Sequence, residues 1–165
     1  MHYFSKATRI LHRFPPDSRD LLDSVCRQIQ DAEKSLNTAA AIRMQGCLKQ
    51  CQGMCCRNLN LEAIFGVADF AYILAAQPGF DSAIRTCLQH ERPIFTSDCP
   101  FLENGTGPCI FPSDVRPEVC ITSFCRGEDA LRAEIRRVKK GFWRLGVVLT
   151  LRKVPFIHRM LCKLG

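Results

Sequence analysis

Apolar residues follow different rhythms in different parts of this chain. From Asp17 to about Ala41, Leu21, Leu22, Val25, Ile29, Ala32 and Leu36 keep close to the i, i+3, i+4, i+7 spacing of an amphipathic helix. Pro15 and Pro16 precede this run, and Asp17 or Ser18 is placed to cap it. Leu61 to Ala76 is apolar on nearly every side, the pattern of a buried helix, and Pro78-Gly79 ends it. Phe80 to Gln89 predicts a shorter helix with Asp81 or Ser82 near its start.

Between Thr96 and Phe124 the helical period disappears. Breakers take its place: Pro100, Gly105, Gly107, Pro108, Pro112 and Pro117. A stretch of this kind needs a cross-link to be ordered within a compact domain. Ile94-Phe95 and Cys109-Ile110-Phe111 fit short strand pieces. Glu128 to about Lys140 reads as helix again, and Phe142 to Leu164 continues as one or two helices interrupted by Pro155. The pattern places no element before Pro15.

The length of 165 residues, with 47% apolar and 24% charged residues, suits one globular domain able to bury a core. No run of 18 uncharged apolar residues occurs, which argues against a transmembrane helix. The first twenty residues lack an apolar stretch and a small-residue cleavage site, so the expected compartment is a reducing cytosol. In that setting clustered cysteines bind metal or do redox work more often than they pair. The chain has 11, an odd number that cannot all pair within it.

Eight of the cysteines fall in two groups. The first is the run Cys47, Cys51, Cys55 and Cys56; the second comprises Cys99, Cys109, Cys120 and Cys125. Thiolates a few residues apart can converge on one ion or cluster across a tight turn. Four thiolates suit tetrahedral zinc and an iron–sulfur cluster equally, and the spacing is that of neither paired zinc knuckles nor ferredoxins. Both cofactors stay open, with a lean toward an iron–sulfur (4Fe–4S) cluster. Cys26, Cys87 and Cys162 sit singly among helical apolar positions and read as small buried hydrophobes.

The run ending in Cys55-Cys56, the Cys99-Pro100-Phe101-Leu102 box, Cys109, and Arg116-Pro117-x-x-Cys120-x4-Cys125 together resemble the YkgJ-type cysteine cluster family. The resemblance spans about Cys47 to Cys125. It implies a zinc- or iron-chelating domain in a cytoplasmic protein; the family also includes flagellin lysine N-methylase, whose methyltransferase activity would reside in a separate domain not visible here. Ile121 and Phe124 stand where the family has arginine and proline.

Other chemistry is sparse. Arg116, beside the second group, is a cation that would offset thiolate charge and is the one candidate cofactor-binding residue outside the cysteines. His2, His12, His90 and His158 lie outside both groups in no metallohydrolase spacing. No nucleophile elbow or phosphate-binding glycine loop occurs, and no catalytic residue is assigned.

The charge is lopsided. Residues 130–165 hold ten Lys or Arg against a single acid, Glu134, so the net charge of +7 is a property of the C-terminal segment. That segment reads as a solvated face or as a surface for an anionic membrane, with Phe142, Trp143, Leu145, Val147, Val148, Leu149 and Leu151 interleaved with cations. Nucleic acid is disfavoured for want of a motif.

The expectation is therefore a mainly α protein: a small irregular helical domain over 1–140, with a cysteine-rich, loop-rich metal-binding core at 47–125. A basic amphipathic extension would follow at 141–165. Its expected role is to hold an iron–sulfur cluster or zinc through thiolates of both groups, in the cytoplasm and peripheral to a membrane through 141–164, with a further protein as a possible partner. The alternative is a redox or accessory enzyme using the cluster for electron transfer or protein modification.

Overall fold

The structure, a computed structural model, describes residues 2–43, 61–89, 99–103, 108–124 and 128–152, with the side chains of 62 and 63 excepted. The helices are α1 (His2–His12), α2 (Arg19–Arg43), α3 (Leu61–Ile64), α4 (Val67–Ala76), α5 (Phe80–Gln89), α6 (Glu118–Thr122) and α7 (Arg132–Leu151). Single 3-10 turns at Pro16–Ser18 and Glu128–Leu131 lead into α2 and α7. The protein is mainly helical, and the only β pairing among the described residues is one antiparallel bridge between Leu102 and Cys109.

The apolar spacing read along α2 is the face it buries. Leu22, Val25, Cys26, Ile29, Leu36 and Ala40 are all in the core, and so is a charged residue on the same stripe, Glu33. α7 supplies the opposite wall with Val138, Phe142, Leu145, Val148 and Leu149. The two helices touch along a close seam: a Cβ built on Gly141 would lie 2.7 Å from Ile29 Cγ1. Glycine is required there by the approach of the neighbouring helix.

α4 lies between these walls and α1, and its residues from Asp69 to Leu74 are buried. The continuous helix expected over 61–76 is broken at Phe65-Gly66. The Gly66 amide, extended at φ −97°, donates to Asp69 Oδ2 at 2.8 Å and so starts a new helix. This is the carboxylate half of a capping box. α1 was not expected. Phe4 and Ala7 bury one side of it against α4, and Phe4 meets Phe70 edge-on at 5.5 Å.

At its C-terminal end the chain also departs from the expected division. α7 runs without interruption through 140 and 141, and its residues on both sides of that point enter one core. Phe142, Leu145, Val148 and Leu149, which the membrane reading would turn toward lipid, face inward instead. No helix among the described residues is long and apolar enough to cross a membrane.

The irregular segment is held by its aromatics. Phe101 and Phe111 are buried, 4.9 Å apart between ring centroids, and Phe65 sits 5.0 Å from Phe101. Phe80 of α5 closes on Phe111 at 5.7 Å. Each such ring contributes about 1.5–3 kcal/mol through burial, with up to about 1.5 kcal/mol more per well-oriented pair.

The α2–α7 seam yields a test by substitution. Gly141→Ala gains about 0.5–1 kcal/mol of helix propensity but forces Ile29 aside at a cost of about 1–3 kcal/mol. A net loss of stability is expected in urea titrations. Ile29→Ala and Gly141→Ala combined should then cost less than the sum of the two single changes.

Candidate metal centre

Cys99 opens a turn in which the Leu102 amide donates to the Cys99 carbonyl at 3.3 Å. The chain then pairs with the strand-like piece after Pro108: the Glu103 amide donates to the Pro108 carbonyl (2.9 Å) and the Ile110 amide to the Phe101 carbonyl (2.8 Å). Cys109 therefore stands across from Leu102, three residues along from Cys99. Cys99 is buried, Cys109 half-buried, and Cys120 exposed on the short helix α6. That helix is a local exception to the expected absence of helix over 96–124; Pro117 at its start fixes the entry and the Asp69 carboxylate supplies the cap.

Two buried carboxylates fasten the segment between Cys109 and Cys120. Glu33 Oε2 accepts from the Arg116 amide at 3.1 Å and from the Tyr72 hydroxyl at 3.3 Å. The same hydroxyl lies 3.1 Å from the Asp114 carbonyl, so Tyr72 stands between α2 and the loop. Asp69 reaches the next amide pair: Oδ1 accepts from Glu118 N–H at 2.8 Å while Oδ2 caps α4.

Around this inner set the rim of α2 adds three further contacts. Gln30 donates to Asp114 Oδ2 (3.3 Å), Asn37 to the Ser113 carbonyl (2.5 Å), and Lys34 pairs with Asp114 at 3.6 Å. The Lys34 pair is largely solvated and contributes little. The buried acceptors matter more, because an amide left without a partner in such a place costs about 1–3 kcal/mol.

Burial sets the protonation of these groups. It pushes the Glu33 carboxyl up to about 8, against the opposing pull of the Arg116 amide and the Tyr72 hydroxyl. Burial also raises Asp69, opposed by the Glu118 and Gly66 amides, and raises the Tyr72 hydroxyl, with Glu33 adding to the effect. Glu33 Oε1 and Arg116 Nε are buried without a hydrogen-bond partner among the described residues.

Of the cysteines outside the two groups, Cys26 and Cys87 behave as small hydrophobes, and Cys162 lies outside the described residues. Burial, with Asp23 nearby, pushes the Cys26 thiol up to about 12, and burial raises Cys87 as well. Both are free thiols that stay protonated at neutral pH.

Of the expected ligands, Cys99, Cys109 and Cys120 lie on this one fastened segment. Cys47, Cys51, Cys55, Cys56 and Cys125 lie outside the described residues, as does the strand piece expected at Ile94-Phe95. Among the described residues no three His, Cys, Asp or Glu side chains form a group that could hold a metal ion. Arg116 contributes its main-chain amide to Glu33, and its guanidinium lowers the Glu33 carboxyl slightly against burial.

Glu33, Asp69 and Tyr72 escaped the sequence reading. A signal for the two acids was present: Glu33 falls four residues after Ile29 and three before Leu36 on the buried stripe, and Asp69 interrupts an otherwise apolar helix.

A carboxyl raised in the folded chain keeps its proton at pH values where the unfolded chain has lost it. The Glu33 contribution to stability is therefore full below about pH 4.5 and is lost as pH rises through about 8. Denaturation midpoints measured between those limits should fall with rising pH, and Glu33→Gln should flatten that slope. Asp69→Ala, which strands two amides, should cost on the order of 3 kcal/mol and should lower amide protection at Glu118 first. No family model, curated protein or solved structure matches the chain.

Proposed function

We propose that the chain is a metal-binding protein whose second cysteine group, Cys99, Cys109, Cys120 and Cys125, joins Cys47, Cys51, Cys55 and Cys56 in holding an iron–sulfur cluster or zinc. The observation that carries this reading is the fastening of the described backbone at 99–103 and 108–120. A turn-rich segment bearing three of the cysteines is tied to α2 and α4 by Glu33 and Asp69 and plugged into the core by Phe101 and Phe111. Backbone held in this way lowers the entropy lost when thiolates gather on an ion.

The donor chemistry fits a soft or borderline metal. Thiolate sulfur is the ligand that zinc and iron–sulfur clusters share, and Arg116 supplies a cation in the same stretch to offset the negative charge such a centre carries. Metal uptake releases the thiol protons, so affinity should rise with pH until the thiols are ionised. On this proposal the chain would be a cysteine cluster protein of the kind that the resemblance to the YkgJ-type family implies.

Elemental analysis of anaerobically purified protein, with sulfide measured beside iron and zinc, tests the reading. Bound iron with matching sulfide, or bound zinc, is expected. Cys120→Ser and Cys109→Ser should each lower the bound metal at least about twofold by weakening the site, whereas Cys87→Ser should leave it unchanged. Metal-free protein with native helix content would overturn the proposal. So would thiol titration in denaturant without reductant that finds fewer than the chain's 11 thiols because the two groups are joined as disulfides. A visible band that bleaches with dithionite would select the iron–sulfur centre and its electron-transfer role over zinc.

A further inference from the structure

The inward turn of Phe142, Leu145, Val148 and Leu149 leaves a different set of residues on the outer side of α7. Arg136, Lys139, Lys140 and Trp143 stand at i, i+3, i+4 and i+7, the spacing of a single helical face, and all four are exposed. Trp143 is 66% exposed, the most exposed aromatic side chain among the large hydrophobics of the described residues. Arg132, one turn earlier, is paired with Asp129. None of Arg136, Lys139 and Lys140 has an ion pair among the described residues.

Beside this face runs a groove of about 310 Å³ between α2 and α7, lined by Gln28, Asp31, Ser35, Arg137, Lys140 and Arg144. Arg144 Nη1 is held by Gln28 Oε1 at 2.9 Å, which fixes one cation at its edge. Asp31 is the single acid in the lining.

We propose that the outer face of α7 docks on an anionic phospholipid bilayer, with Trp143 entering the headgroup layer and Arg136, Lys139 and Lys140 against lipid phosphates. Charge complementarity supports the choice, since three cations of one sign flank one indole with no acid interposed on that face. The indole decides between lipid and nucleic acid. An amphipathic ring projecting from a cationic face has its preferred environment at the headgroup level of a membrane. Contact at the surface is all that the face provides, because the apolar side of the helix is committed to the core. The inference is independent of the cysteine centre.

Trp143 is the only tryptophan in the chain, so its fluorescence reports on this face alone. The intact protein is titrated with vesicles of phosphatidylcholine and with vesicles containing phosphatidylglycerol. With the anionic vesicles, emission should move to shorter wavelength, protein should sediment with lipid, and both effects should reverse at high salt. Arg136→Gln, Lys139→Gln and Lys140→Gln together should weaken that binding on the order of a hundredfold, with the helical circular dichroism unchanged. Trp143→Phe, read by sedimentation, should weaken it by a smaller factor.

Equal binding to neutral vesicles, no spectral shift with anionic ones, or full affinity in the triple variant would overturn the proposal. A DNA duplex that alters Trp143 emission at a lower phosphate concentration than the vesicles would overturn it too, and would put nucleic acid in place of lipid.

Discussion

The structure depends most on two carboxylates placed where carboxylates are expensive. Glu33 is fully buried on α2 and Asp69 nearly so on α4, in a core made mostly of apolar side chains. An acid in such a place is costly as a charge, and it is tolerated by hydrogen bonding and by keeping its proton. Here donors come from main-chain amides of the turn-rich stretch that leads into α6: Arg116 for Glu33, Glu118 for Asp69. The loop gains acceptors for its amides, and Glu33 Oε2 and both Asp69 oxygens gain donors away from water, while Glu33 Oε1 has none among the described residues. Tyr72 links the two by standing between Glu33 and the Asp114 carbonyl.

This fastening changes how the irregular stretch is understood. Its prolines and glycines suggest that order must be imposed from outside by a cross-link. Within the described part, order comes from side chains that a sequence reader counts as ordinary core or ordinary charge: Phe101, Phe111 and Val115 inserted between helices, and two acids reaching out from them. A metal held by Cys99, Cys109 and Cys120 would then meet a backbone already positioned at two points, and its binding energy would go into gathering sulfurs more than into folding the chain.

The parts of the fold that were legible are those where one element carries its own signal. α2 and α5 were, because their apolar spacing is local. α1 was not: its 11 residues are too short to be stable alone, and it is fixed by burying Phe4 and Ala7 against α4, a contact made across more than sixty positions of sequence. The break at Gly66 was hidden for a similar reason, since Asp69 looks like an interruption of a buried helix until its oxygens are seen to serve Gly66 and Glu118. At the candidate site the cysteine spacing was legible and the anchors were not. On α7 the mixture of cations with Phe142, Leu145 and Val148 suggested a lipid-facing stripe, whereas a helix seated against α2 turns those residues inward and leaves Arg136, Lys139, Lys140 and Trp143 outside.

The seam between Ile29 and Gly141 carries an evolutionary consequence. The backbone of one long helix there rests directly on a side chain of the other, with no methyl group between them. Drift at the two positions is thereby coupled: a lineage can enlarge residue 141 only after shrinking residue 29. Descendants that kept both long helices in this register would be recognisable by that paired exchange of volume, even after most of their surface had diverged.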